Sequence, residues 1–377
     1  MVVVVLMALG AVFVFSASAN VGQELEWRRF YAYPGLRQMV YFLLALATMY
    51  GFSCVDYRRH DFSKGWYRSL SPYFLALSVV LLGLVVLQRV HPIFPQFIPE
   101  VNQHYRWVKI AAGPVEVSFQ PSELAKWCVV FVLAGYCARY GVNDWKRFFF
   151  ICGVVALTVG LILVEDFGTA ALISLLTLLM LVIAGLKLRY VLAPLPFAVG
   201  AFAAAILTSE ARQNRILAFL HPDRWTSGIN YQPSQSLIAL GSGGLFGKGL
   251  GRGICKYGHL PEDTTDFIFA IIGEEMGFIG TLAVILLFIA FVWLGMLVVV
   301  RCQDRFGQIL AGGIVLAIAI QAALNIGVVT VVLPTKGMPL PFVSSGGTSI
   351  LLSAAAVGVL MNIAKHSPKE ELPEAIA

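Results

Sequence analysis

Charge is scarce in this chain: Asp, Glu, Lys and Arg make up 13% of its 377 residues, against about 25% in soluble domains. So few charges cannot clothe a surface of ordinary size, which excludes a soluble globular protein. The same scarcity leaves nothing for heptad e and g positions and excludes a coiled coil. The 35 glycines follow no fixed period, so collagen-like repetition fails, and the low polarity excludes a disordered chain. Cysteine is limited to Cys54, Cys128, Cys137, Cys152, Cys255 and Cys302, with no C-x-x-C pair. Neither a zinc site nor a disulfide framework is indicated. What the chain has in excess is apolar sequence, 58% of residues, and those residues must face lipid. The chain reads as an all-α polytopic membrane protein. Its net charge of +6 is spread along the sequence, which points to membrane topology and anionic headgroups, with no nucleic acid implied.

A helix needs about 20 apolar residues to cross the hydrocarbon core. Charge-free runs give ten spans, at 1–23, 38–55, 69–88, 127–138, 148–164, 167–186, 190–209, 276–300, 306–335 and 337–364. The fourth is long enough once Pro121 opens its helix, which carries Glu123 and Lys126 to the membrane boundary. A further run, 225–247, is rich in Gly, Ser, Gln and Asn and reads as a loop or short re-entrant segment. Ser16-Ala17-Ser18-Ala19 resembles a signal-peptide cleavage site, but the basic n-region is missing, so the first run is read as a span.

Short basic connections alternate along the chain: Arg58/Arg59/Lys64/Arg68, Arg139/Lys146/Arg147, Lys187/Arg189, Arg301/Arg305 and Lys365/Lys369. The positive-inside rule places them, and both termini, in the cytoplasm. The long connections, 91–120 and 210–275, then lie on the outer face. The expected organisation is one membrane domain over 1–377, with a large extracytoplasmic loop at 210–275 between helices seven and eight and a short cytoplasmic tail at 366–377.

Polar information concentrates in 210–275. Gly241, Gly243, Gly244, Gly247, Gly249, Gly251 and Gly253, with Lys248, Arg252 and Lys256 among them, suit either a diphosphate cradle or a tight turn between re-entrant helices. The run fits neither the P-loop nor the dinucleotide fingerprint. Glu262, Asp263 and Asp266 precede the apolar stretch 267–272. A carboxylate there is either a general base with a raised pKa or a helix-start acid beside a Thr265 cap. Glu274 and Glu275 read as helix-start acids facing interfacial water. Arg212, Arg215 and Arg224 suit anionic lipid or substrate, or a solvated loop face.

Elsewhere, Glu123 and Lys126 share a helical face and suit a structural ion pair or a common substrate. Glu165 and Asp166 read as a polar hairpin tip or as carboxylates facing the compartment of Asp266. Asn325, Pro334, Lys336, Gly337, Pro339, Pro341 and 344–348 break the helical pattern, and such irregular backbone belongs beside protein or a cavity.

Several motifs together resemble the SEDS membrane proteins, the family of FtsW, RodA and SpoVE. They are Ser16-Ala17-Ser18, Arg106-Trp107, QPSELAK at 120–126, QSLIALGSGGLFGKGL at 235–250, LPEDTTDFIFAIIGEEMGFIG at 260–280 and GMPLPFVSSGGTS at 337–349. The resemblance covers nearly the whole chain, and its ten-span arrangement with both ends inside matches the one above. The wording of 237–250 and 215–220 is nearer the FtsW branch than the RodA branch. There are departures: Glu165-Asp166-Phe167 stands where the family usually has Pro-Asp-Leu. Thr264 replaces a usual His and Ser345 a usual Tyr, which leaves Asp266 without those neighbours.

The resemblance implies a peptidoglycan glycosyltransferase of the bacterial cytoplasmic membrane that polymerises lipid II, an undecaprenyl-diphosphate-linked disaccharide peptide. It implies as partners a monofunctional class B penicillin-binding protein transpeptidase and other division-complex membrane proteins, and a place at the division septum. A RodA-like elongation polymerase and a lipid II flippase are the competing expectations. Asp266 matches the family's essential aspartate and is expected to be the catalytic base. Lys126, Lys248 and a divalent cation, Mg or Mn, are the candidates for stabilising the diphosphate. Glu123, Asp166, Gln235, Glu262 and Ser344 are assigned by position to the cavity lining, and Trp107 to sugar stacking or to fixing the loop.

Overall fold

The computed structural model describes residues 1–18, 33–63, 65–91, 95–100, 104–112, 115–192, 194–221, 230–257 and 260–367. Lys64, Arg224, Lys369 and the tail beyond Ser367 lie outside them. The chain is dominated by helices: α1 Val2–Ser18, α2 Pro34–Cys54, α3 Ser71–Val90, α4 Pro121–Tyr140, α5 Trp145–Glu165 and α6 Phe167–Ile183 in the first half. There follow α7 Leu188–Leu192, α8 Leu195–Leu207, α9 Glu210–Leu220, α10 Tyr231–Gly243, α11 Ile268–Arg301, α12 Arg305–Val329 and α13 Gly347–His366. Among the described residues α3, α5, α11, α12 and α13 are long and apolar enough to cross a membrane, and α1, α6 and α8 are shorter apolar helices. This is an integral membrane protein.

Local sequence accounts for the ends of the helices. Proline opens α2, α3, α4 and α8, where the missing amide costs nothing. Asp144, Asp166 and Asp304 cap α5, α6 and α12 by accepting from backbone amides. The seventh apolar run, expected as one span, is divided between α7 and α8 at Pro194. The ninth stops at Val329, and the tenth becomes helical only at Gly347, because Pro334, Pro339 and Pro341 deny the intervening chain its helical amides.

An all-helical chain is a simplification. Strands β1 Val108–Ala112 and β2 Val115–Phe119 pair antiparallel, with Val108 opposite Phe119. Val108, Ile110, Val115 and Val117 carry the period-two pattern, hidden inside a stretch read as a long loop.

Helix α12 lies at the centre, with Gly313 against Met180 of α6 and Val130 of α4. At the periphery α11 buries Gly280, Val284, Phe288, Phe291, Gly295 and Val299 while Leu286, Ile289, Trp293 and Val300 point outward. Helix α11 is 34 residues long and is broken at Gly277, whose φ is +68°. Its first part, 268–275, is buried throughout. The glycine loop after α10 packs against this break, and Lys248 and Gly249 donate their amides to the carbonyls of Glu274 and Glu275 at 3.0 and 2.9 Å.

Gly247 makes that approach possible. Its φ is +78°, and a Cβ there would stand 2.1 Å from the Glu275 carbonyl oxygen. Gly247→Ala is expected to destabilise the protein by about 2–4 kcal/mol, read as a fall in melting temperature. Gly241→Ala, where a Cβ meets nothing within 4 Å, leaves the melting temperature unchanged or higher.

Candidate active site

Asp266 sits in the turn just before α11, and the neighbouring backbone holds that turn from two sides. Asn325 of α12 donates its Nδ2 to the Asp266 carbonyl at 2.8 Å and to the Met338 carbonyl at 2.7 Å. Both partners are acceptors, which fixes the orientation of the amide. Ser344 Oγ donates to the Thr265 carbonyl at 2.6 Å and accepts the Leu340 amide at 2.7 Å. The Ser345 amide donates to the Thr264 carbonyl at 2.8 Å. The turn before α11 and the irregular chain before α13 therefore form one unit.

The Asp266 carboxylate itself has no hydrogen-bond donor among the described residues. Gly337 runs beside it, and a methyl on Gly337 would come within 2.7 Å of Asp266 Oδ2. Burial pushes the Asp266 carboxyl up to about 7, the negative charges of Glu262 and Asp166 add to the rise, and Arg106 opposes it. Solvent still reaches the side chain in part, so proton exchange is open. Burial also lifts Asp263, to about 6. A carboxyl poised near neutrality and in part open to solvent can take a proton from a hydroxyl.

Asp166 caps α6, accepting from the Thr169 amide at 3.1 Å and from Thr169 Oγ1 at 2.7 Å. Glu165 does something different: it accepts from Arg89 at 2.8 Å, contacts His104 at 3.3 Å and accepts the Tyr105 amide at 3.1 Å. Its carbonyl accepts Arg106 Nε at 2.8 Å. The α5–α6 corner thus fastens the segment carrying Arg106 and Trp107 next to the site. Trp107 is half-buried there. Glu262 adopts a positive φ of 57° and accepts from Thr265 Oγ1 at 2.9 Å.

The other sequence candidates lie apart from this carboxylate. Lys126 is buried, donating to Glu123 at 2.9 Å and to Gln321 Oε1 at 2.7 Å. Gln321 passes the connection to the Pro339 carbonyl at 2.9 Å. Lys248 is paired with Glu274 at 2.7 Å, and Gln235 is half-buried on α10. Glu274 and Glu275 do not face interfacial water. Glu274 is fully enclosed and also accepts the Ile254 and Cys255 amides, while Glu275 binds Lys256 at 3.0 Å and Ser16 of α1 at 2.8 Å. The glycine loop folds over the helix start and seals it, which the sequence pattern did not disclose. Arg212 donates to the Ala205 and Leu163 carbonyls at 2.8 and 3.0 Å and so caps helix ends. Among the described residues no three His, Cys, Asp or Glu side chains come together to hold a metal ion.

Comparison with known proteins bears directly on this arrangement. The family profile FTSW_RODA_SPOVE, described as cell cycle protein, matches residues 1–369. The chain belongs to the FtsW/RodA/SpoVE family. Within this family it is 37% identical over 365 residues to the probable peptidoglycan glycosyltransferase FtsW of Idiomarina loihiensis, covering 95% of this chain and 84% of the relative. It is 32% identical to stage V sporulation protein E of Bacillus subtilis, covering 97% and 96%. Among solved structures, a chain of a peptidoglycan synthase complex aligns with a TM-score of 0.72 at 22% identity, over 97% and 96% of the two chains. The rod shape determining protein RodA of Thermus thermophilus aligns with a TM-score of 0.67 at 23% identity, over 98% and 96%. These two likenesses show that the fold is the family's.

Two cations border the site, Arg106, which acts on the Asp266 carboxyl, and Lys336, the chain neighbour of Gly337; sequence reasoning assigned neither a role. Lys336 was noticed only as part of a helix-breaking stretch, and Arg106 only as half of an Arg-Trp pair. A lysine immediately before a glycine at membrane depth was the available signal.

Proposed function

We propose that this protein polymerises lipid II into glycan strands at the outer face of the bacterial cytoplasmic membrane, for septal wall synthesis. The observation that carries this reading is the Asp266 carboxyl, raised to about 7 and without a hydrogen-bond donor among the described residues, in a turn held by Asn325 and Ser344. The names of the FtsW relatives support it. The ten-span arrangement with both termini inside puts the Asp266 turn, the α5–α6 corner and the chain before α13 on the outer side.

In the reaction, Asp266 takes the proton from the 4-hydroxyl of the acceptor sugar. The oxygen forms a bond to the anomeric carbon of the donor, and the bond from that carbon to the diphosphate oxygen breaks. The electron pair leaves with undecaprenyl diphosphate, and attack from the opposite face inverts the anomeric centre. The leaving group is already a good one, so a single base and cationic support of the diphosphate suffice, in contrast to the carboxyl pair of glycoside hydrolysis. Asn325 and Ser344 position the turn that carries the base. A class B penicillin-binding protein transpeptidase is the partner that would cross-link the strands; the peptidoglycan synthase complex among the structural neighbours supports such an assembly.

The test is fluorescent lipid II supplied to the protein with its transpeptidase partner in nanodiscs, where no second compartment exists for transport. Glycan strands on a gel are the expected product. Translocation of lipid II across liposomes without any strands would establish the flippase reading instead.

A further inference from the structure

Among the described residues three of the lysines at or near the candidate site and glycine loop are already paired, and a fourth is not. Lys126, Lys248 and Lys256 each face a buried carboxylate, at 2.9, 2.7 and 3.0 Å. Their charge is already balanced inside the protein, and an incoming anion would have to displace a carboxylate from a closed site. Lys336 makes no ion pair and no hydrogen bond among the described residues. Its ammonium rests 4.6 Å over the ring of Phe167, and its stem passes Gly168, where a Cβ would stand 3.5 Å from Lys336 Cδ and 3.4 Å from Asp166 Oδ1. Its chain neighbour Gly337 faces the Asp266 carboxylate, which a Cβ at that position would approach to 2.7 Å.

Arg106 stands close enough to Asp266 to act on its carboxyl. Among the described residues it is engaged through its Nε, with the Glu165 carbonyl, and its terminal nitrogens make no hydrogen bond. Arg212 and Arg215 lie near enough to repel it electrostatically, and the partners of Arg212 are backbone carbonyls. Asp166, Asp266 and Glu262 stand in the same cluster, yet among the described residues none of them forms an ion pair with Lys336 or Arg106, so both cations can still take up an anion. Burial holds the Lys336 ammonium below the ordinary lysine range, with Asp166 opposing that fall; a bound anion would restore the full charge.

We infer that Lys336 and Arg106 hold the diphosphate of the donor lipid, the role that sequence position alone gave to Lys126 and Lys248. The inference rests on the polymerase reading for the identity of the donor. Lys336 over Phe167 then contacts the diphosphate oxygens while the adjoining Gly337 leaves room for the sugar beside Asp266.

The test measures binding of undecaprenyl diphosphate to the full-length protein in nanodiscs, with inorganic pyrophosphate as competitor. Lys336→Met and Lys336→Gln are expected to weaken binding by about tenfold and to lose competition by pyrophosphate, while Lys336→Arg stays within about threefold of wild type. In polymerisation assays the same variants raise KM for lipid II more than they lower kcat. A merely structural lysine would not give the Arg rescue or the KM shift. Unchanged affinity in both neutral variants, or no binding by the wild type, overturns the assignment. If binding depends on Lys336 but no strands form, the polymerase reading fails while the anion site stands. If strands form and affinity ignores Lys336, the reverse holds.

Discussion

Asp266→Asn abolishes strand formation, with a loss of about a thousandfold or more in rate, while the protein remains folded and bound to its partner. Asparagine keeps the shape of the side chain but cannot accept a proton, and removal of a general base costs on the order of 10²–10⁴. The backbone bonds from Asn325 and to Thr264 and Thr265 do not involve the carboxylate, so the turn survives. Stability moves the other way. An acid whose native pKa, here about 7, exceeds its unfolded value of 3.8 favours the fold while protonated and loses that contribution as pH rises through 7. The variant is therefore more stable than wild type at pH 8, by on the order of 2 kcal/mol after allowing for solvent contact, and the difference shrinks as pH falls below 7 and is small by about pH 4. Thermal melting in detergent at the two pH values reads this. An equal or lower melting temperature for the variant at pH 8 contradicts a charged, desolvated Asp266.

Lys126→Met is expected to be the most damaging change to the fold. It leaves Glu123 enclosed without its cation and Gln321 without the donor to its Oε1. Breaking a buried pair from one side costs about 3–5 kcal/mol, whereas removing both charges is often neutral. Glu123→Gln combined with Lys126→Met should recover most of the melting temperature lost by either single change. If that double variant is as stable as wild type and still polymerises lipid II, the pair is architectural. If stability returns but substrate affinity does not, Glu123 and Lys126 touch the substrate after all.

Much of this was legible because membrane helices announce themselves by length and charge. The runs expected at 38–55, 69–88 and 148–164 fall on α2, α3 and α5, and Pro121 opens α4 where its geometry required. Which face of each helix is buried was not legible. Helix α11 is apolar all round, and only packing distinguishes Gly280 and Gly295 from Ile289 and Trp293. The β1–β2 hairpin was hidden because its five-residue strands carry too little pattern to stand out from a loop. At the site, the acidic turn around Asp266 stood out because carboxylates are costly at a membrane edge. The partition of lysines did not, since pairing of Lys248 with Glu274 and Lys256 with Glu275 depends on the glycine loop folding back over α11. Local sequence marks a charge as unusual; only the fold says whether another charge already answers it.

The rate of strand formation as a function of pH, measured at saturating lipid II with the transpeptidase partner present, tests the central claim most directly. A base that must be ionised predicts a rate that falls about tenfold per unit below a midpoint near 7. Glu262→Gln removes one of the negative charges that hold Asp266 up and should move that midpoint to lower pH. A profile that is flat from pH 5.5 to 8 in the wild type, or a midpoint indifferent to Glu262, would mean that Asp266 is not the group that takes the proton.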